Sequence, residues 1–336
     1  MKNKTFYAVL LLTMYLLTMA FSNTMPVAST TTTATKATDQ LADILSSGVL
    51  KVGADTTYPP FESINTTTNK AQGFDVDLAN YIAYELSPSH NVTAQIITSQ
   101  WDPIIPNLQA GQFNIILSAM TITAARAQQV NFTRWYYQSF QAILVPNANP
   151  ANIQTPDDLN KTGVDIGVQS GTTEAIYAQN LTKATVHTYD KIGNAITAMG
   201  AGTVDCVLGD YAVVALNAAE GVNKVVATYS PEYFGIAVKI GETNLLNKIN
   251  TILNGLLGTN LDLPSYSTNY TSMYVNWFDI QPPTTHQTSL TLPTTTNTNT
   301  TPTSKSTTTS PGFELVAIVL LAPTVFIKKV KKQNNK

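Results

Sequence analysis

"DIGVQSGTTEAIYAQNLTKATVHTYDKIGNAITAMGAGTVDCVLGDYAVVALNAAEG" (residues 165–221) repeats one rhythm three times. The short β-rich runs "DIGVQ", "TVHTYD" and "DCVLGD" each give way to a stretch with helical spacing of apolar residues. These stretches open at Thr172, at Ile192 in "IGNAITAMGAG" and at Tyr211 in "YAVVALNAAEG". Parallel strands need a long crossover, usually a helix, so this alternation predicts an α/β unit with a parallel sheet and helices on both faces.

The same rhythm runs upstream. "VLKVGAD" reads as a strand, followed by an amphipathic helix, "DVDLANYIAYEL", with Val76, Leu78, Ile82 and Leu86 among its apolar positions. "NVTAQIIT" is a strand, "IIPNLQAG" a short helix, and "FNIILSAM" and "QAILVPN" two further strands. "GIAVKIG" and the helix "NLLNKINTILNGLLG" close the body. Two successive α/β units, each too small for a large barrel, predict two lobes. Ligands of open α/β sheets bind beyond the carboxyl ends of the strands. That rule selects the loops in "GADTTYPPF", "LSAMTIT", "GVQSGTT" and "LGDYA".

Those loops carry a coherent set of groups. Arg126, in "TAARAQQ", is one of only two arginines in a chain with 19 Lys and Arg. Its rigid fork matches a carboxylate in two bonds, which lysine cannot do; the plainer alternative is a residue on a helix surface. Thr172 and Thr173 open a helix whose free N–H groups and dipole favour an anion, though a simple N-cap accounts for them too. Asp210 ends a strand, placed either to receive an ammonium or to cap the helix from Tyr211. Together the three describe a site for an α-amino acid zwitterion. Tyr58 and Trp101 are aromatics in polar loops, suited to flanking a ligand side chain or to ordinary packing.

Composition narrows the classes. A length of 336 residues accommodates two domains. Residues 40–280 hold ten Lys and Arg against nineteen Asp and Glu, a net charge of −9. This acidic body, without a basic stripe, argues against nucleic acid as a partner. Cys206 is the only cysteine, so no intrachain disulfide forms, and it reads as a small buried apolar residue. His90, His187 and His286 are scattered without ligand-like spacing, so no metal or other cofactor is expected.

Both ends are hydrophobic. Residues 1–25 place Lys2 and Lys4 before an apolar run, the layout of a secretory signal or an N-terminal anchor. A Thr-rich spacer (26–44) precedes the body. Residues 279–311 form a Thr- and Pro-rich stalk that cannot build a core. Residues 312–336 are hydrophobic and end in a Lys cluster. With Pro311-Gly312-Phe313, this tail resembles the archaeal PGF-type C-terminal sorting signal. That resemblance implies an archaeal surface protein, tethered outside the cell membrane by a transmembrane or lipid anchor. Asn-x-Ser/Thr triplets begin at Asn65, Asn91, Asn131, Asn160, Asn180, Asn269 and Asn299, so some glycosylation is expected outside the cell.

In order and spacing, "LKVGADTTYPPF", "GFDVDLANYIAYEL", "WDPIIPNLQAGQFNIILSAMTITAARAQQVNFT", "GVQSGTTEA", "VDCVLGDYAVVA" and "YFGIAVKIG" resemble the polar-amino-acid-binding proteins of ABC importers, the family 3 solute-binding proteins. The resemblance covers about residues 45–258, with "YVNWF" (274–278) similar to the family's closing helix. It implies a two-lobe type II periplasmic-binding fold, each lobe a mostly parallel sheet flanked by helices. Lobe 1 would comprise 45–140 and 235–278, and lobe 2 141–234, joined by a two-strand hinge at "QAILVPN" and "YFGIAVKIG". By position, Arg126 would hold the ligand α-carboxylate, helped by Thr121 and Thr173. Asp210 would take the α-ammonium with the Ala119 carbonyl. Tyr58 and Trp101 would flank the side chain, and Asp55 and Gln169 would meet its polar end. The segment "LDLPSYSTNYTSM" (261–273) is longer than the family's usual link.

These readings make the chain a monomeric binding protein that hands a polar or basic L-amino acid to an ABC permease, and not an enzyme. Two alternatives remain: an enzyme resembling cyclohexadienyl (arogenate) dehydratases, with Glu174 protonating a leaving hydroxyl, or the sensor subunit of a receptor.

Overall fold

The structure, a computed structural model, describes residues 39–219, 221–285 and 287–288. The expected signal segment, most of the Thr-rich spacer, His286, the stalk beyond residue 288 and the hydrophobic tail lie outside these residues. Among the described residues no helix is long and apolar enough to cross a membrane.

The body begins earlier than the sequence suggests. Gln40–Ser47 forms a helix, α1, whose first turn is capped by Asp39 accepting from the Leu41 N–H. Strand β1 (Val49–Ala54) follows, then a small separate sheet of β2 (Thr57–Tyr58), β3 (Glu62–Asn65) and β4 (Lys70–Gln72). Helix α2 (Phe74–Leu86), β5 (Thr93–Thr98), α3 (Ile104–Gln109), β6 (Ile115–Ile116) and the single turn α4 (Ala124–Ala127) lead into the long β7 (Asn131–Pro146). The quoted stretch then gives β8 (Asp165–Gln169), α5 (Thr173–Gln179), β9 (Thr185–Tyr189), α6 (Ile192–Gly200), β10 (Cys206–Asp210) and α7 (Tyr211–Leu216). A second long strand, β11 (Asn223–Val238), returns to α8 (Thr243–Leu257) and α9 (Thr268–Phe278).

The strands lie in the order β5-β1-β6-β11-β7-β10-β8-β9. Two parallel wings, β5-β1-β6 and β10-β8-β9, flank the antiparallel pair β11–β7. Each wing is the mostly parallel sheet expected of a lobe, and the ladder runs on between the two because β7 and β11 are each 16 residues long and pair along their length. The wings attach at opposite ends of that pair: β6 bonds Ala237 and Val238 of β11, whereas β10 bonds Gln141–Leu144 of β7. Between the two attachments β11 shifts register, notably at Tyr229/Pro231 and Phe234/Gly235, and Ser230 takes φ 43°. Such bulges bend and twist a strand.

The first wing is held by apolar faces of α2 and α8. Phe74, Leu78 and Ile82 share one buried cluster with Leu245, Ile249 and Leu253. Phe278 at the end of α9 reaches the same cluster, its ring 5.5 Å from Phe61 and 5.3 Å from Phe74. Half of the Ser/Thr-rich link is therefore not a link: α9 starts at Thr268, capped by Ser267. A second cluster, with Ile143, Val168, Ala178 and Leu208, builds the other wing and encloses Cys206, whose thiol pKa burial pushes up. Both ends of the described body rest on the first wing's side. The Gln40 N–H bonds Glu242 at 2.9 Å before α8, and Gln287 exchanges bonds with Gln138 of β7. At the first sequon among the described residues, Asn65 is buried and its amide is occupied by Gln72 and by the Thr67 N–H.

Candidate ligand-binding cleft

All the residues singled out from the sequence, Asp55, Tyr58, Trp101, Ala119, Thr121, Arg126, Gln169, Thr172, Thr173 and Asp210, line one cleft. It holds about 310 Å³ of space not filled by atoms, part of it open to solvent. The topology explains the convergence. Asp55 and Tyr58 follow β1, Ala119 and Thr121 follow β6, Gln169 ends β8 with Thr172 and Thr173 just beyond it, and Asp210 ends β10, so each stands at a carboxyl end of the sheet.

Arg126 is buried, which excludes the helix-surface alternative. Thr123 caps α4 by accepting the Arg126 N–H at 3.2 Å and so fixes the root of the side chain. Nη1 donates to the Thr121 carbonyl at 2.8 Å and Nη2 to the Gly171 carbonyl at 3.2 Å. The guanidinium lies 5.1 Å from the centre of the Trp101 ring. Of its five N–H groups, three remain for a ligand. Desolvation lowers its pKa, opposed by Glu174, Glu232 and Asp210. Gly171 makes this approach possible. It has φ +69°, and a Cβ there would sit 2.6 Å from the Asp102 carboxylate and 3.3 Å from Trp101.

Asp210 occupies the cap position of α7 but makes no side-chain cap bond. Its oxygens accept instead from Tyr58 Oη at 2.8 Å and Ser139 Oγ at 2.7 Å. Burial, followed by the charges of Glu174 and Glu232, raises its pKa well above the carboxylate range. Thr172 is a true N-cap, accepting from the Ala175 N–H at 3.2 Å while donating to the Gln169 carbonyl.

Asp55 accepts from Thr57 Oγ1 at 2.7 Å and Gln169 Nε2 at 2.9 Å, so its oxygens already have partners. Ala119 has φ 44°, unusual for alanine, and its N–H is held by Asp75 Oδ2 at 2.7 Å. Asp75 also receives Tyr136 Oη, and burial still pushes its carboxyl up to about 7. Its neighbour Glu62, raised by burial and by the Asp75 charge, accepts from Ser118.

Sequence reading missed Glu232. It sits in "SPEYFG" of β11, and a lone acid inside a β-rich run was the available signal. Its Oε2 accepts from the hydroxyls of Thr121 at 2.6 Å and Thr173 at 3.0 Å, and Oε1 accepts from Gln141 Nε2 at 2.6 Å. The threonines assigned to a ligand carboxylate thus already hold a carboxylate of the chain. Glu174, named before only as an enzyme's acid, lines the cleft, and burial raises its pKa to about 7.

A mixed sheet with a buried polar cleft at its strand ends, crossed by two long antiparallel strands, defines a ligand-binding protein of the type II periplasmic-binding fold. The chain belongs to the bacterial extracellular solute-binding proteins, family 3, whose model matches residues 50–261. It is 34% identical over 213 residues to ABC transporter arginine-binding protein 1 of Escherichia coli K12, covering 61% of this chain and 83% of that protein. It is 27% identical over 247 residues to the ABC transporter glutamine-binding protein GlnH of Bacillus subtilis, covering 73% and 86%. Among solved structures, an ancestral amino-acid-binding protein described as a precursor of cyclohexadienyl dehydratase matches with TM-score 0.64 and 34% identity, over 71% of this chain and 99% of that one. An ancestral arginine-binding protein bound to arginine matches with TM-score 0.61 and 33% identity, over 69% and 98%. The relatives named here are binding proteins.

Proposed function

We propose that the chain is an extracytoplasmic receptor that captures a polar or basic L-amino acid and delivers it to an ABC permease. One observation carries the reading: Arg126 on α4 and Asp210 at the end of β10 line a single cleft, as the two poles of a zwitterion require. Arg126 takes the α-carboxylate with the Thr173 N–H, and Asp210 with the Ala119 carbonyl takes the α-ammonium. Tyr58 and Trp101 flank the side chain, and Asp55 and Gln169 stand at its far end. The two wings are the lobes, 45–140 with 235–278 and 141–234, closing about β7 and β11. The terminal hydrophobic segments export this archaeal chain and tether it, as a monomeric glycoprotein, to the outer face of the membrane. A thermal-shift screen of residues 39–288 against the twenty amino acids tests the reading, because a ligand that binds only the folded state raises the melting temperature. No shift with any of them would remove it.

A second reading has one observation in its favour. Buried Glu174, its pKa raised to about 7, is about half protonated at neutral pH, which suits a general acid. Incubation with arogenate, followed by assay for phenylalanine, decides between the two.

A further inference from the structure

Glu174, Asp210 and Glu232 bring carboxylate oxygens within 4.8 Å of one another, facing the single cation Arg126. Most of the acceptors here are occupied. Asp210 is bonded by Tyr58 and Ser139, Glu232 by Thr121, Thr173 and Gln141, and Asp55 by Thr57 and Gln169. Two cleft-lining side chains, each only 2% exposed, keep a buried oxygen with no partner: Oε1 of Glu174 and Oε1 of Gln169. The Gln169 amide cannot turn round to cure this. Its nitrogen faces the Asp55 carboxylate at 2.9 Å and the Asp190 carbonyl at 3.2 Å, both acceptors. Glu62 Oε2 is a third bare oxygen; its carboxyl lies against Asp75 and that of Glu174 against Glu232, so each of these acids can share a proton with its neighbour while empty, which the Gln169 oxygen cannot. Burying an acceptor without a donor is costly, so a ligand supplying N–H groups at these two oxygens gains what the empty cleft forgoes.

We propose that Glu174 and Gln169 form a donor-seeking subsite, and that the ligand is an amino acid whose side chain ends in a guanidinium or ammonium group. The proposal deepens, and rests on, the reading of this cleft as an amino-acid site. Its specificity-determining residue is Glu174. Asp55, the acid that the family resemblance points to, is already engaged by Gln169. A glutamine side chain supplies fewer N–H groups than a guanidinium and turns a carbonyl toward acceptors, while glutamate adds another carboxylate to those of Asp55, Glu62, Glu174 and Asp210 in the lining.

Calorimetry on the purified body, freed of any co-purified amino acid by unfolding and refolding, tests this with L-arginine, L-lysine, L-glutamine and L-glutamate. Arginine or lysine should bind at least about tenfold more tightly than glutamine, with glutamate weakest. E174Q should reduce the arginine-to-glutamine selectivity ratio by at least about tenfold. Should E174Q fail to fold, the unaltered protein still decides. Glutamine or glutamate binding as tightly as arginine would overturn the proposal and leave the amino-acid reading intact. Binding of none of the four, with other amino acids still raising the melting temperature, would do the same.

Discussion

Arg126 spends one N–H on the Thr121 carbonyl and another on that of Gly171, and these anchors fix the plane in which the remaining three point. Lysine could restore the charge but neither the fork nor both anchors. Arg126→Lys should therefore weaken amino-acid binding by at least about tenfold, roughly 1.4 kcal/mol, by calorimetry; an unchanged Kd would place the ligand carboxylate elsewhere. Glu174 gives a pH dependence. Burial and the charge of Glu232 on β11 raise its pKa to about 7, opposed by Arg126 from α4, and Asp210 is raised by burial and by the charges of Glu174 and Glu232. A ligand ammonium favours the ionised acids, so binding should release protons and weaken as pH falls below about 7. Titration at about pH 6.5 in two buffers of different ionisation enthalpy measures that release. The sign for stability is opposite. The folded empty protein holds these protons more tightly than the unfolded chain does. Their contribution is thus complete below the ordinary carboxylate range and is lost as pH rises through about 7.

At the scale of elements, the turn from β8 into α5 is the most tightly specified. Gly171→Ala would force a side chain into φ +69° and against Asp102 and Trp101. It should lower both the melting temperature and ligand affinity, whereas Gly202→Ala, also at positive φ but with nothing near its Cβ, should lower the melting temperature alone. Removing the α9 cap with Ser267→Ala should cost about 1 kcal/mol in denaturant unfolding. The contrast between α5 and α9 shows what the sequence disclosed. The strands β1, β8, β9 and β10 were visible because short β-rich runs stand between Gly- or Asp-bearing turns. α9 was seen only at "YVNWF", because the Thr, Asn and Ser of its first turns are weak helix formers that tertiary packing and one cap overrule. The first half of β7, "NFTRWYYQSF", was missed because its burial does not alternate. Among site residues, those at strand ends were legible from position. Glu232 was not, because only the pairing of β11 with β7 brings it to threonines more than fifty residues away.

Across the whole molecule, the two wings meet at side chains as well as at strands. Glu232 Oε2 accepts from Thr121 beside the first wing and from Thr173 beside the second. Arg126 likewise bonds carbonyls from both sides. If these ties hold the empty protein shut, Glu232→Ala should enlarge the radius of gyration of the ligand-free form in small-angle scattering while saturating ligand restores compactness. An identical radius with and without the substitution would show that the ties do not govern closure.

The bonds of Gln40 to Glu242 and of Gln287 to Gln138 give the molecule a handedness of attachment. If either end is tethered as proposed, tension would enter through the half that carries Arg126 and leave the half that carries Asp210 free to swing shut.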